Sequence, residues 1–206
     1  MTKGPKVDND ALLAAGLDLM RQAGKPLTRL PSSGRSMMYA LENGETVRVR
    51  TCNDHILIVL SGKHSGDAKL NIEGTDWLLI VMPEIERTPG KVIAYLVPTK
   101  VAADASRQTH SEWLATNPNT KGNNTTWNLW FREDGPPKAN DFARKWRTYR
   151  VQGASEITQG MSFAEAREPA GPAGNVKAEV EMARQRISKA AGVSLDAVKI
   201  TIQFGA

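Results

Sequence analysis

The residue types that do chemistry in this chain fall into two groups: arginines and lysines in short runs, and a scatter of acids, three histidines and one cysteine. The first basic group is Arg48 and Arg50, which alternate with Val47 and Val49 between Thr46 and Thr51. The second runs from Arg132 to Arg150, with six cations (Arg132, Lys138, Arg144, Lys145, Arg147, Arg150) against three acids (Glu133, Asp134, Asp141). Phe142, Trp146 and Tyr149 are interleaved with these cations. Guanidinium and ammonium groups neutralise phosphates, and aromatic faces either stack on bases or pack into a core. Spacings of four and three put the three aromatics on one face of a helix over 142–151, so a helix there buries them and exposes the cations.

The acids are less well organised. Asp76 opens the most apolar stretch of the chain, while Glu42 and Glu45 flank the Asn43-Gly44 turn. An acid at a strand mouth can cap the backbone, pair with Arg48 or Arg50, or bind metal together with Glu42, Glu45 or Glu73. Pairing with an arginine is the expected role, because a shielded charge needs a partner. Cys52, His55 and His64 lack the paired ligand spacing of a structural zinc site. Asp104, Ser106, His110 and Ser111 share one expected helix, whereas a hydrolase triad draws its members from separate elements and adds an oxyanion hole. Gly16, Gly24, Gly34 and Gly44 are spaced for turns and helix ends, with no phosphate-cradling loop. No complete catalytic motif emerges and no cofactor is expected; Mg²⁺ enters only if the acids form a metal site.

The elements that must position these residues follow from hydrophobic period and turn chemistry. Asp10–Ala23 has apolar residues at helical spacing, with Asn9 or Asp10 as cap and Gly24 as stop. Strands are predicted over 35–41, 46–51, 55–60, 77–81, 91–97 and 126–132, with an Asn-Gly hairpin between the first two. In the last of these, Trp127, Leu129 and Phe131 alternate with Asn128 and Trp130. Helices are predicted over 100–114, 142–151 and 176–191, a short one over 162–167, and a final strand over 197–204. The expected fold is α/β (α+β), a mixed, largely antiparallel sheet of about five to seven strands flanked by helices. A main domain over 1–152 would be followed by a Gly/Pro-rich linker over 153–175 and a helix–strand unit over 176–206. That unit is too small to fold alone and should dock on the main sheet.

With 206 residues, net charge +5 and 24% charged residues, the composition is that of a globular domain with a basic bias. That bias permits nucleic acid or an acidic protein as partner. No apolar run approaches the roughly 20 residues that span a bilayer, and the polar start Met1–Lys6 has no apolar export signal. The lone cysteine excludes an internal disulfide. A cytoplasmic protein with no membrane association is the expectation.

The segment Asp10–Val101 resembles the PD-(D/E)xK restriction-endonuclease-like superfamily, in particular its homing-endonuclease and resolvase-like branch. The likeness rests on the leading helix, the hairpin containing Val47-Arg48-Val49-Arg50-Thr51, and the paired stretches Thr75–Val81 and Val92–Pro98. The family carries an acid on the first hairpin strand and Glu- or Gln-x-Lys on the second. Here Met37–Tyr39 holds no acid, and Arg48 and Arg50 stand at the later positions. Arginine coordinates no Mg²⁺ and stays protonated, so the resemblance implies a catalytically degenerate core whose cleft has become positive. The whole chain also resembles uncharacterised rhizobial proteins, a likeness that supplies no function.

The leading expectation is a non-enzymatic DNA-binding protein that uses Arg48, Arg50 and the 132–150 cations against phosphates, as in mobile-element maintenance, regulation or defence. One alternative is an active Mg²⁺-dependent endonuclease with migrated acids at Glu42, Glu45 and Asp76. The other is a protein-interaction or adaptor module, with the 197–204 strand as a homodimer edge.

Overall fold

The computed structural model describes residues 5–31, 37–60, 69–117, 126–132, 141–157 and 176–201. Helix α1 (Asn9–Gln22) starts where the Asp8 carboxylate accepts from the N–H groups of Asp10 and Ala11, so the cap is Asp8 where Asn9 or Asp10 was expected. Its apolar face, including Leu12, Leu13, Leu19 and Met20, is buried against the sheet. The approach is closest at Gly16, where a Cβ would lie 2.5 Å from a Val81 methyl. Only glycine lets this helix sit that near.

The sheet under α1 is built from β1 (Thr28–Arg29), β2 (Met38–Ala40), β3 (Thr46–Thr51), β5 (Trp77–Pro83) and β6 (Val92–Pro98), in the order β1-β2-β3-β5-β6. The ladders are antiparallel except that between β3 and β5, which is parallel. The mixed, largely antiparallel α+β expectation holds. Strands β5 and β6 are continuous apolar runs because both their faces are covered. One face packs on α1 through Leu79, Val81, Ala94 and Leu96; the other contributes Leu78, Ile80, Met82, Tyr95 and Val97 to a second core.

What covers the second face differs from a simple meander. Strand β4 (Ile56–Leu60) leaves the main sheet and pairs antiparallel with β7 (Thr126–Trp130) as a separate two-stranded ribbon. The ribbon buries Leu57, Val59, Trp127 and Leu129 on the sheet, with Phe131 just beyond it. This excursion is the crossover that lets β5 return parallel to β3. Helix α2 (Thr99–Thr116) follows β6 directly and buries Ala102, Ala103, Ser106 and His110 beside the ribbon.

The 142–151 segment is a single turn, α3 (Phe142–Lys145), followed by a 3-10 turn over Arg147–Tyr149, in place of the longer helix expected. The aromatic spacing still holds: Phe142 and Trp146 are buried and Tyr149 packs against them. The helix stops because Arg150 turns extended to bridge Tyr95 on β6, and the Val151 N–H donates to Ala94 O. The chain stays on the main body through Ile157, whose N–H donates to Gly90 O, so part of the expected linker is packed.

Helix α4 (Val176–Ala191) ends at Gly192 in the left-handed region, as expected. The strand expected over 197–204 is not formed by its described part, which is a 3-10 turn (Leu195–Ala197) and unpaired chain to Thr201. The Arg184 guanidinium donates to Leu195 O and Val198 O at 3.0 and 2.9 Å, turning the tail back on its own helix and away from a ladder. A homodimer edge made by that strand therefore has no strand among the described residues. Residues 202–204 and the short helix expected over 162–167 lie outside them.

Candidate nucleic-acid interface

Arg48 and Arg50 lie on the β3 face opposite α1, as the alternation with Val47 and Val49 predicts. Both are half-buried and both are engaged by main-chain acceptors. Arg48 Nη1 donates to Asn71 O, and Arg50 Nη2 donates to Ile58 O at 3.1 Å. Arg48 Nε is buried with no hydrogen-bond partner among the described residues. Burial, with the like charge of Arg50 beside it, lowers the Arg48 pKa from its ordinary value. These side chains tie β3 to the ribbon and to the loop ahead of β5.

Arg50 and the second basic segment share one row of the sheet. Arg50 is opposite Ile80, Ile80 opposite Tyr95, and Tyr95 opposite Arg150. Three inter-strand steps separate the two arginines, about 14 Å of backbone. The space between them is filled: Ile80 and Tyr95 belong to the core under the ribbon, with the Tyr95 and Phe131 ring centroids 5.2 Å apart. Among the described residues, the stretch of sheet between Arg50 and Arg150 is apolar core.

The remaining cations gather at the far side of the ribbon. Arg132, Arg144, Lys145 and Arg147 are exposed and Arg150 is half-buried; Lys138 lies outside the described residues. Phe142, Trp146 and Phe131 form a buried aromatic cluster beneath them, with centroids 4.6 to 6.3 Å apart. Arg144 Nε is 3.2 Å from Asp141, and Lys145 Nζ lies 5.0 Å over the Phe142 ring. The Arg132 guanidinium sits 4.5 Å over Trp130 and 3.7 Å from Glu86. The parallel bridge from Trp130 to Asp141 holds the two stretches side by side.

The acids take other partners. Asp76 accepts from the Thr46 N–H (2.9 Å), the Thr46 hydroxyl (3.0 Å) and Lys189 Nζ (3.1 Å), so its cationic partner is Lys189 where Arg48 or Arg50 was expected. Burial pushes its carboxyl up, but the hydrogen bonds from Thr46 and Lys189 outweigh this and leave it below the ordinary value. Glu45 accepts from Asn43 and from the Trp77 indole at 2.9 Å and faces Lys189 at 3.5 Å. Those hydrogen bonds, from Asn43 and then Trp77, lower its pKa. Glu42 is exposed on the hairpin turn, and Glu73 pairs with Arg107. Lys189 of α4 thus pairs with the two acids most suited to a metal, and no group of three metal-ligating side chains occurs among the described residues.

Other combinations separate in the same way. Burial pushes the Cys52 thiol up to about 12, which leaves it unreactive at neutral pH. His55 Nε2 is 2.6 Å from Pro83 O. Ser106 donates to Ala102 O of its own helix, and His110 stacks on Trp127 at 4.3 Å. Lys189 carried no signal in the sequence, because its partners lie more than a hundred residues away. The outward position of Trp130 was present in the β7 alternation, but nothing there marked it as the ring beneath Arg132. No family model, no curated protein and no solved structure matches this chain.

Proposed function

We propose that the protein is a non-enzymatic DNA-binding protein that holds the phosphate backbone electrostatically, through Arg132, Arg144, Lys145, Arg147 and Arg150. The observation that carries this reading is the exposure of Arg132, Arg144, Lys145 and Arg147 on a stretch anchored by buried Phe142 and Trp146. Fixing cations on a packed element lowers the conformational entropy lost on binding. Arg48 and Arg50 support the scaffold in this reading, because each is half-buried and donates one N–H to a main-chain carbonyl.

The restriction-endonuclease-like resemblance agrees with a DNA partner, and the engagement of Asp76 and Glu45 by Lys189 favours binding without cleavage. Titration of labelled duplex DNA over a range of salt tests the reading. Each phosphate contact adds close to one unit to the slope of log affinity against log salt. Lys145→Ala/Arg147→Ala should weaken binding to every duplex and lower the slope by about 2. An unchanged slope removes the basic segment from the interface.

A further inference from the structure

The β4–β7 ribbon exposes Ile58 and Asn128 on its outer face and leaves Ile56 and Trp130 half-buried there. Its inward residues, Leu57, Val59, Trp127 and Leu129, are in the core, so Ile56, Ile58, Asn128 and Trp130 project the other way. Ile58 is 45% exposed, one of the few large apolar side chains so open among the described residues. It lies opposite Asn128, while Ile56 lies opposite Trp130. Ile58, with the half-buried Ile56 and Trp130 beside it, gives a flat partner an apolar strip to pack on.

The surroundings indicate what kind. Trp130 is half-buried and carries the Arg132 guanidinium 4.5 Å over its ring, a planar cation stacked on a planar aromatic. The bridge from Trp130 to Asp141 brings the exposed Arg144, Lys145 and Arg147 alongside. An apolar protein partner would not need this density of positive charge, and a duplex alone would leave Trp130 and Ile58 without a flat apolar surface to cover. Unpaired bases have such surfaces, and their phosphates match the cations.

We infer that the Ile56–Ile58/Asn128–Trp130 face of the ribbon is a stacking platform for the unpaired bases of single-stranded DNA, with Trp130 and Arg132 as the stack and Arg144, Lys145 and Arg147 on the backbone. The assignment rests on the DNA-binding reading above and narrows it to single strands. Ile58 packs against the ring of the next base.

The test is fluorescence titration of the full chain with oligo(dT) and with a duplex of equal length, at one low salt concentration. Oligo(dT) should quench the tryptophan emission and bind more tightly than the duplex. Trp130→Ala should lose most of the quench and about tenfold in oligo(dT) affinity, since removing a stacked aromatic costs on the order of that much per base. Trp130→Phe should retain most of the affinity, and in Trp130→Ala the fold-loss should be larger for oligo(dT) than for the duplex. Ile58→Thr, which keeps the strand propensity, should weaken oligo(dT) binding in the same direction and by less. A quench and affinity unchanged in both Trp130→Ala and Ile58→Thr would overturn the platform. Salt-sensitive duplex binding with no oligo(dT) binding would overturn it and leave the basic-segment reading standing. Failure to bind either DNA would remove both.

Discussion

At the scale of single residues, the positions with the clearest consequences are those that hold main-chain acceptors or leave no room for a larger side chain. Arg48 and Arg50 each give an N–H to a main-chain carbonyl, Asn71 O and Ile58 O, and removing them leaves those acceptors short of a donor. Arg48→Ala/Arg50→Ala should lower stability by about 1 to 3 kcal/mol, read as a shifted denaturant midpoint. Gly16 admits no side chain, because its Cβ would lie 2.5 Å from Val81. Gly16→Ala should therefore destabilise by about 1 to 3 kcal/mol despite the gain in helix propensity. Asp76 has a folded pKa below its ordinary value of 3.8. The stability it contributes is present above that value and disappears as pH falls through the lower, folded one. The stability difference between the native chain and Asp76→Asn should be widest near neutral pH and close in acid, as urea denaturation at several pH values would record.

At the scale of elements, the chain divides between what local pattern encodes and what tertiary pairing decides. Helix α1, strands β3 to β7 and helix α4 were legible within a few residues, since their hydrophobic period and flanking Gly, Asn and Pro agree. The diversion of β4 from the main sheet was not, because Ile56–Leu60 reads as a half-buried strand whichever strand it joins. The 142–151 segment was legible in its face and not in its form. Its aromatic spacing placed Phe142 and Trp146 inward, but Arg150 meets Tyr95 on β6, and a sheet bridge outweighs one more helical turn. The tail after Gly192 failed for a similar reason, with Arg184 drawing it back on α4. Phe142 is packed among Phe131, Trp146 and the second core. Phe142→Ala should cost about 3 to 5 kcal/mol and loosen the segment that carries Arg144, Lys145 and Arg147. Its DNA affinity should fall while the salt slope of whatever binding remains stays near the native value.

At the scale of the whole molecule, two ends of the sheet carry different chemistry. At one, the row Val47, Trp77 and Pro98 is bordered by Glu45, Asp76 and the overlying Lys189. Beyond β6 and the ribbon lies the basic stretch on its aromatic cluster. The net charge of +5 said only that an anionic partner was permitted. The sequence grouped Arg48 and Arg50 with the 132–150 cations; the fold separates them by a filled core, and only the second set is mostly exposed. No helix among the described residues is long and apolar enough to cross a membrane.

The measurement that bears most directly on this division is the salt dependence of DNA binding for three proteins: the native chain, Arg48→Ala/Arg50→Ala and Lys145→Ala/Arg147→Ala. The account predicts that the Lys145/Arg147 pair lowers the slope by about 2, and that the Arg48/Arg50 pair leaves the slope unchanged while lowering stability. The reverse pattern, with the slope falling only when Arg48 and Arg50 are removed, would contradict it and return the interface to β3.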